Sequence, residues 1–317
     1  MPNILIAGEL HPAGIDLLKK RSNYTFDYIK EVSDENFLPY LVNADALLLR
    51  TQRFRKEDIE ESNILKIVSR HGVGFDSIDT KALREKNIPL TIVGDVNSTS
   101  VSEHTMMLIL AVFKRVLLAD EAVRKSNWNY RDNYEPLEIF AKNLLIIGFG
   151  RIGQNVANLA KVFGMNISVY DPYISKKSVS KEVRYWDSLE GAISQADCIS
   201  LNLPKLESPV ISQDIVKHLK PGVVIINTAR GGLIDLNVLT KGIESGLIAG
   251  AGLDVFDDEP PDQNMTLKGY KQVILTPHQA GLSMESAKRM SMKSVQNILD
   301  FFEGKLDPNL IVNGVKP

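Results

Sequence analysis

A glycine motif between a predicted strand and a predicted helix places the strongest constraint on the fold of this chain. The motif is Gly148-Phe149-Gly150-Arg151-Ile152-Gly153, within "NLLIIGFGRIGQNVANLAKVFG". The apolar run Leu144–Ile147 precedes it, and a helical pattern with apolar residues on one face follows it. Such a turn lets a pyrophosphate approach the backbone and the free N–H groups at the start of the helix. The pattern therefore predicts a Rossmann-type nucleotide-binding unit.

An acidic residue lies where such a unit binds ribose. Asp171 follows the predicted strand Ile167–Tyr170, 18 residues after Gly153. A carboxylate there accepts hydrogen bonds from both adenosine ribose hydroxyls and repels a 2′-phosphate, which favours NAD over NADP. A glycine turn with an unrelated surface aspartate is the alternative interpretation. Lys176 and Lys177, just beyond this loop, leave some NADP use open.

Short apolar runs alternate with helical patterns along the whole chain. This alternation predicts an α/β fold with parallel sheets and crossover helices, arranged in two units. Predicted helices before the glycine motif include Gly14–Arg21, Glu35–Asn43 and Thr80–Lys86. The predicted strands are Asn3–Ala7, Phe26–Ile29, Ala46–Leu49, Ile67–Ser69 and Leu90–Val93, then Leu144–Ile147, Ile167–Tyr170, Arg184–Trp186, Cys198–Leu201, Val223–Asn227, Ala249–Leu253 and Val273–Thr276.

Two long helical patterns mark the joins between the units. One runs from about Val101 to Val116, and Ser100 with Glu103 fits a capping box at its start. The other runs from near Ser283 to about Glu303. The sequence therefore predicts a discontinuous first unit, residues 1–97 plus 285–317, and an inserted second unit, residues 98–284.

The charge and the apolar content exclude several classes of protein. The net charge is −2, so no general attraction to nucleic acid or to an anionic membrane is expected. The longest helical apolar run, Met106–Phe113, is far shorter than the roughly 20 residues that span a bilayer. No signal peptide is evident, and the single cysteine, Cys198, is expected to be a small buried residue. We expect a soluble cytoplasmic protein without a metal site.

One histidine follows a predicted strand, at the position where open α/β sheets bind their ligands. His278 follows the predicted strand Val273–Thr276 in "ILTPHQAG", and the carboxyl ends of parallel strands gather ligands. An imidazole, with an ordinary pKa of about 6.5, suits acid/base chemistry near neutral pH. Among the five histidines, His71 is the second candidate. Three carboxylates upstream, at residues 257, 258 and 259, are candidates to orient His278.

The chain resembles the D-isomer-specific 2-hydroxyacid dehydrogenases over nearly its full length. Six motifs occur in that family's order: "SRHGVGFDSID", "GFGRIG", "YDP", "INTARGGLID", "GLDVFDDEP" and "TPHQAG". The stretches "LLLRT" and "VYDPYIS" are most similar to the D-3-phosphoglycerate dehydrogenase branch. The resemblance implies a nucleotide domain inserted into a smaller flavodoxin-like substrate domain, an active site in the cleft between them, and a homodimer formed mainly through the nucleotide domain.

The resemblance also implies an activity. We expect an NAD-dependent enzyme that oxidises a D-2-hydroxy acid, with conversion of 3-phosphoglycerate to 3-phosphohydroxypyruvate in serine biosynthesis as the first hypothesis. A glyoxylate or hydroxypyruvate reductase, or another D-2-hydroxyacid dehydrogenase, is the alternative. A non-catalytic nucleotide-sensing protein on the same scaffold is a third interpretation, which the presence of Arg230, Glu259 and His278 disfavours.

Residue roles follow from the same resemblance. His278 is expected to be the general acid/base, Glu259 its buried partner, and Arg230 the group that holds the carboxylate and the carbonyl, while Asp257 and Asp258 are expected to be solvated loop charges. Asp254 is expected to contact the nicotinamide, with a strand-terminating turn aspartate as the alternative. The expected NAD-binding residues are Gly148, Gly150, Arg151, Ile152, Gly153, Asp171, Pro172, Asn202, Pro204, Thr228, Ala229, Asp254 and Gly281. The expected substrate-binding residues are Arg50, Arg70, His71, Gly72, Val73 and Gly74, with the N–H groups of Val73 and Gly74 donating to the carboxylate. For Arg50, a charge at the end of a strand without a substrate role is the alternative.

Some positions depart from the family pattern. Asn202 replaces the usual histidine, and residues 205–209 form an atypical loop beside the expected cofactor site. Ala141 and Leu145 replace two usual glycines, which we interpret as packing changes. The sequence carries no regulatory domain of the kind found in longer phosphoglycerate dehydrogenases, so feedback control through such a domain is not expected.

Overall fold

A computed structural model describes residues 1–316 and divides the chain into two compact units. Unit 1 contains Met1–Asn97 and the chain from Leu282 onward, and unit 2 is Ser98–Gly281. The predicted second boundary, at residue 285, lies three residues later than the observed one. Ser283 lies within these three residues, and its side chain caps the last long helix of unit 1.

All twelve strands of the described chain run parallel to their neighbours. The strands of unit 1 are β1 (Asn3–Ala7), β2 (Thr25–Ile29), β3 (Ala46–Leu49), β4 (Ile67–Arg70) and β5 (Leu90–Thr91). Those of unit 2 are β6 (Asn143–Ile147), β7 (Asn166–Tyr170), β8 (Arg184–Tyr185), β9 (Cys198–Leu201), β10 (Val223–Asn227), β11 (Ile248–Leu253) and β12 (Val273–Leu275).

Helices connect these strands, as parallel pairing requires. The α-helices are α1 (Pro12–Lys19), α2 (Leu38–Leu41), α3 (Lys56–Glu61), α4 (Thr80–Glu85), α5 (Ser98–Phe113), α6 (Val116–Arg124), α7 (Arg151–Val162), α8 (Leu189–Ile193), α9 (Leu236–Glu244) and α10 (Met284–Phe302). Short 3₁₀ helices span Trp128–Asn133, Lys176–Ser178, Val216–His218, Thr266–Gly269 and Pro308–Leu310.

Unit 1 is a flavodoxin-like sheet. Its strand order is β2-β1-β3-β4-β5, which reverses direction between β1 and β3. Alternate residues of each central strand enter opposite cores: Leu47 packs with Leu5 on one face, and Leu48 packs with Ile4 on the other. Helix α10 covers the second face with apolar side chains such as Ile298.

Unit 2 is a Rossmann-type sheet of seven strands in the order β12-β11-β10-β9-β6-β7-β8. Its central strands are mostly apolar because helices cover both faces. Leu145 and Ile199 enter one core, while Leu144 and Cys198 enter the other. Cys198 is fully buried, as expected, and burial raises the pKa of its thiol. The α/β fold class predicted from the sequence is confirmed.

Two helix predictions were wrong. The helix expected from Glu35 to Asn43 contains only α2, because Pro39 has no N–H and is tolerated in the first turn only. The helix expected from Val101 to Val116 begins earlier, at Ser98, and ends at Phe113. The capping box at its start does not form: Ser100 is buried inside the helix, and its hydroxyl donates to the carbonyl oxygen of Ala280 at 2.7 Å.

Among residues 1–316, no helix is long and apolar enough to cross a membrane.

Candidate active site

The predicted site residues of unit 2 stand at the carboxyl ends of six strands. Gly148 follows β6, Asp171 follows β7 and Asn202 follows β9, while Thr228 and Asp254 directly follow β10 and β11, and His278 lies just after β12. Parallel strands end at the same edge of a sheet, and the ligands of open α/β sheets bind at this edge. Residues separated by more than a hundred positions in sequence are therefore brought to one edge of unit 2.

The glycine motif forms a cradle at the start of α7. Gly148 has a φ of 89°, and a Cβ atom there would lie 2.5 Å from the carbonyl oxygen of Asn202. A Cβ atom on Gly153 would lie 2.3 Å from the carbonyl oxygen of Gly148. Gly150 instead faces open space. It is the N-cap residue of α7, so no side chain there covers the first N–H groups of the helix. The cradle therefore leaves backbone N–H groups and room for a pyrophosphate, as NAD binding requires.

Asp171 is buried beside this cradle and is fixed by two backbone groups. Its Oδ2 accepts from the N–H of Phe149 at 2.8 Å, and its Oδ1 accepts from the N–H of Tyr173 at 2.9 Å. Each carboxylate oxygen has a second lone pair, so acceptor capacity remains for ribose hydroxyls. The tyrosine side chain at position 185 also closes the loop, since its hydroxyl donates to the carbonyl oxygen of Asp171 at 3.2 Å.

The remaining predicted cofactor residues of unit 2 differ in exposure. Asn202 donates to Ser200, and its Oδ1 atom is buried without a hydrogen-bond partner among the described residues. Thr228 is buried, and its hydroxyl lies 2.8 Å from that of Thr105. Arg151, Pro172 and Pro204 are exposed, and Ile152, Ala229 and Gly281 are half-buried.

Three predicted catalytic residues come together beyond β10, β11 and β12. The Nδ1 atom of His278 lies 2.6 Å from the Oε2 atom of Glu259. The other carboxylate oxygen, Oε1, accepts from the N–H of Phe256 at 3.1 Å. Arg230 is close enough for its positive charge to act on Glu259. With Nδ1–H donating to Glu259, the Nε2 atom of His278 is left to exchange a proton with a substrate.

The electrostatics of Glu259 favour its ionised form. Partial burial works to raise the pKa of Glu259, but the hydrogen bond and charge of His278, the N–H of Phe256 and the charge of Arg230 together hold that pKa below its usual value. An ionised Glu259 stabilises the imidazolium that forms when His278 accepts a proton. One expectation was wrong: Glu259 is not buried, because its side chain is 37% exposed on a loop beyond the sheet.

Arg230 is positioned by a tight turn. The buried side chain of Asn227 donates to the carbonyl oxygen of Arg230 at 2.8 Å and accepts from the N–H of Ala229 at 3.0 Å. A Cβ atom on Gly231 would lie 1.9 Å from the carbonyl oxygen of Phe256, so only glycine allows these two loops to meet. The contact between the loops brings Arg230 close to Glu259.

Asp257 ties the same two loops together. Its Oδ1 accepts from the N–H of Gly232 at 2.5 Å, so Asp257 is more than the solvated charge expected from the sequence. Asp258, by contrast, is an exposed loop residue, as expected.

Asp254 shapes the segment that carries His278. It is fully buried, and its carboxylate accepts from the backbone N–H groups of Gln279 at 3.0 Å and Ala280 at 2.8 Å. His278 has a φ of 49°, a left-handed conformation that costs a side-chain-bearing residue on the order of 1 kcal/mol. The bonds to Asp254 bend the segment back onto the sheet edge. These contacts match the turn-aspartate alternative, and a nicotinamide contact of Asp254 stays a prediction.

Sequence reasoning missed two contributors to this segment. His104 on α5 and Thr276 after β12 meet beneath it, with the His104 Nε2 and Thr276 Oγ1 atoms 3.0 Å apart. They are separated by 172 positions, and no motif in the sequence connects them.

The predicted substrate residues lie in unit 1, at the ends of β3 and β4. Arg50 follows β3, and its guanidinium donates to the carbonyl oxygen of Glu9 at 3.1 Å. Arg70 ends β4 and donates to the carbonyl oxygens of His71 and Gly74, both at 2.9 Å, so it shapes the loop of residues 71–74. The N–H groups of Val73 and Gly74 donate no hydrogen bond within the described chain, which leaves them available to an acceptor. In the same loop, Gly72 has a φ of 151°.

His71 is an unsuitable acid/base near neutral pH. It is buried, and burial together with the charges of Arg70 and Arg50 lowers the pKa of its imidazole to about 3. Its Nε2 atom has no hydrogen-bond partner within residues 1–316, and neither has the Nε2 atom of the buried Gln52. His71 therefore stays neutral near neutral pH, and its ring can form a hydrogen bond to a ligand but cannot act as a general acid/base there.

Comparison with known proteins agrees with this arrangement. The family model "D-isomer specific 2-hydroxyacid dehydrogenase, NAD binding domain" matches residues 106–280. A glyoxylate reductase of Aeropyrum pernix is 34% identical over 98% of this chain and 96% of its own length. A D-3-phosphoglycerate dehydrogenase of Methanocaldococcus jannaschii is 35% identical over 98% of this chain, which spans 59% of that relative.

A solved structure shows the same fold over nearly the whole chain. The crystal structure of the TT0316 protein from Thermus thermophilus has a TM-score of 0.90 and 27% identity, and the match covers 98% of this chain and 100% of that one. The chain therefore belongs to the D-isomer specific 2-hydroxyacid dehydrogenases and is an NAD-dependent oxidoreductase that acts on 2-hydroxy acids.

Proposed function

We propose that the chain is a D-3-phosphoglycerate dehydrogenase, which interconverts 3-phosphoglycerate and 3-phosphohydroxypyruvate in serine biosynthesis. The main observation in support is a pair of guanidinium groups at the ends of β3 and β4. They belong to Arg50 and Arg70, and both lie near enough to His71 to lower its pKa. A substrate with both a carboxylate and a phosphate gains most from two such cations. The Methanocaldococcus jannaschii relative carries the same activity in its name.

We assign the chemical roles as follows. In oxidation, the Nε2 atom of His278 takes the proton of the substrate hydroxyl, and Glu259 stabilises the imidazolium. Arg230 pairs with the carboxylate and polarises the developing carbonyl. NAD supplies the acceptor for the hydride that leaves C2. In reduction, the protonated His278 returns its proton to the carbonyl oxygen.

We assign cofactor binding to the strand ends of unit 2. Gly148, Gly150 and Gly153 form the cradle for the pyrophosphate. Helix α7 begins with Arg151 and Ile152, and we assign their backbone N–H groups to the same pyrophosphate. Asp171 accepts from the ribose hydroxyls. The residues that we assign to the rest of the dinucleotide are Pro172, Asn202, Pro204, Thr228, Ala229, Asp254 and Gly281.

Replacing Asp171 by alanine is expected to weaken the preference for NAD. The variant loses the ribose acceptor and the charge that repels a 2′-phosphate, so the ratio of kcat/KM for NADH to that for NADPH should fall roughly 10-fold or more. Steady-state kinetics with both cofactors measures this ratio. Asp187→Ala, at an aspartate of the same unit outside the cradle, is the matched control. An unchanged ratio in the Asp171 variant would show that this carboxylate does not contact the ribose.

A glyoxylate or hydroxypyruvate reductase is the second candidate. The Aeropyrum pernix glyoxylate reductase matches over 96% of its length, whereas the chain spans 59% of the Methanocaldococcus jannaschii dehydrogenase. The guanidinium of Arg70 also donates hydrogen bonds to two loop carbonyl groups, so fewer of its N–H groups remain for a phosphate. A small 2-oxo acid requires only one cation for its carboxylate.

A substrate panel separates the two candidates. We expect NADH oxidation to be fastest with 3-phosphohydroxypyruvate among that acid, hydroxypyruvate, glyoxylate and pyruvate. In Arg50→Met, KM for 3-phosphohydroxypyruvate should rise roughly 10- to 100-fold, as for the loss of a charge-assisted hydrogen bond, with little change for glyoxylate. Arg53→Met removes an exposed cation from the same loop and serves as the control. Efficient turnover of glyoxylate without turnover of the phosphorylated acid would overturn the first assignment and support the second.

We further propose that the enzyme is a homodimer formed through unit 2. Large apolar side chains are exposed on and just after α5 and α6, among them Leu117, Val123, Trp128 and Tyr134. Exposed apolar side chains concentrated in one segment are typical of a protein interface. Sedimentation velocity at micromolar concentration should give the mass of two chains, and a single-chain mass at that concentration would contradict the proposal.

A further inference from the structure

Three polar side chains of unit 2 meet beneath the segment that carries His278. They come from separate elements: His104 from α5, Asp254 from the end of β11 and Thr276 from the end of β12. The Oγ1 atom of Thr276 lies 2.5 Å from Asp254 Oδ1 and 3.0 Å from His104 Nε2. The side chains of His104 and Asp254 are 12% and 1% exposed, so these bonds are largely shielded from water.

The number of available protons decides which group donates in each of these hydrogen bonds. Threonine has one hydroxyl proton, which it donates to the carboxylate of Asp254. The oxygen of Thr276 must then accept from His104, so the Nε2 atom of His104 carries a hydrogen. Burial lowers the pKa of His104, and the negative charge of Asp254 only partly opposes it. His104 is thus a neutral donor near neutral pH, in the tautomer protonated at Nε2.

The far end of the chain of bonds is the backbone on either side of His278. Asp254 accepts from the N–H groups of Gln279 and Ala280, and Ser100 on α5 donates to the carbonyl oxygen of Ala280. On the other side, Thr276 accepts through its carbonyl oxygen from the N–H of His278 at 3.0 Å. Helix α5 therefore holds both ends of a short segment whose histidine has a left-handed backbone.

We infer that His104 is a positioning residue for catalysis, which acts through Thr276 and Asp254 to fix the segment that presents His278. The inference rests on the proposed role of His278 as the acid/base. Without the His104 bond, Thr276 loses the partner that orients its hydroxyl toward Asp254. The segment then samples other backbone conformations, and the imidazole of His278 spends less time in the reactive orientation.

The test is a set of substitutions at His104. His104→Ala should lower kcat roughly 10-fold with the best acid of the panel and NADH, with KM for the acid changed less than about 2-fold, because orientation and not substrate affinity is lost. His104→Gln places an amide donor in the position of Nε2 and should recover most of kcat. His218→Ala removes an exposed histidine of the same unit and is the control. Thermal unfolding of each variant measures any separate loss of stability.

Thr276 supplies a second approach if the alanine variant folds poorly. Thr276→Val keeps the shape but breaks both bonds, and we expect the same fall in kcat. Adding His104→Ala to Thr276→Val should then cause no further fall in kcat, because both residues belong to one chain of bonds. Normal kcat in both His104→Ala and Thr276→Val would overturn the inference, as would equal kcat in His104→Ala and His104→Gln. If His278→Ala itself keeps near-normal turnover, the proposed function fails instead.

Discussion

His278→Ala is expected to lower kcat by about 10²–10⁴, the usual cost of losing a general acid/base. The Nδ1 atom of His278 is hydrogen-bonded to the carboxylate of Glu259. Of the two ring nitrogens, only Nε2 is therefore left to exchange a proton with the substrate. Affinity for NADH should be nearly unchanged, because the cradle at α7 does not involve this residue. Stopped-flow kinetics and fluorescence titration with NADH measure the two quantities separately.

Two further variants make this result specific. Glu259→Gln keeps a hydrogen-bond acceptor but removes the charge that favours the imidazolium, so kcat should fall by less than in the histidine variant. His11→Ala, at a histidine of unit 1 outside the proposed machinery, should behave like the unchanged enzyme. Turnover of His278→Ala within a few-fold of that of the unchanged enzyme would show that another group handles the proton.

Arg230→Gln is expected to lower kcat/KM roughly 10²- to 10³-fold for every 2-oxo acid that the enzyme accepts. In the proposed mechanism the planar guanidinium of Arg230 pairs with the carboxylate and stabilises charge on the carbonyl oxygen, and a neutral amide does neither. Arg230→Lys restores the charge without the fork, so it should recover only part of the loss. The comparison of kcat and KM separates lost binding from lost transition-state stabilisation.

The arginine variant has a second consequence for the pH profile. The charge of Arg230 helps to keep the pKa of Glu259 low, so its removal should raise that pKa. Because a carboxylate with a depressed pKa loses its charge as pH falls through that pKa, the acid limb of the kcat profile should move to higher pH. An Arg230→Gln enzyme with unchanged kcat/KM would mean that the substrate carboxylate is held elsewhere.

Much of this arrangement was predictable because it depends on local sequence. The glycine cradle needs only a strand, three glycines and a helix in succession, and Gly148 to Gly153 contain all three glycines within six residues. The strands were recognisable because buried parallel strands are mostly apolar runs, as Val223–Ile226 in β10 is. The partner of His278 was narrowed to Glu259 by resemblance, and the 2.6 Å contact agrees with that choice.

Other features depend on contacts between distant parts of the chain. The start of α5 was misjudged because Ser100 resembles an N-cap residue in sequence, yet its hydroxyl bonds to a carbonyl group 180 positions away. The neutrality of His71 follows from burial next to two arginines, one of which follows the neighbouring strand β3. Neither burial nor a neighbour across a sheet is encoded at a fixed sequence spacing.

The sequence by itself determined the α/β class, the nucleotide cradle and the identity of the residues available for chemistry, because these follow from periodicity, turn geometry and functional groups. Only the tertiary structure decided which of those groups meet. It paired His278 with Glu259, used Gly231 to bring Arg230 beside them, and joined His104 to Thr276 and Asp254 beneath them. The physical reason is that a parallel sheet gathers the carboxyl ends of its strands at one edge, in an order set by topology rather than by sequence.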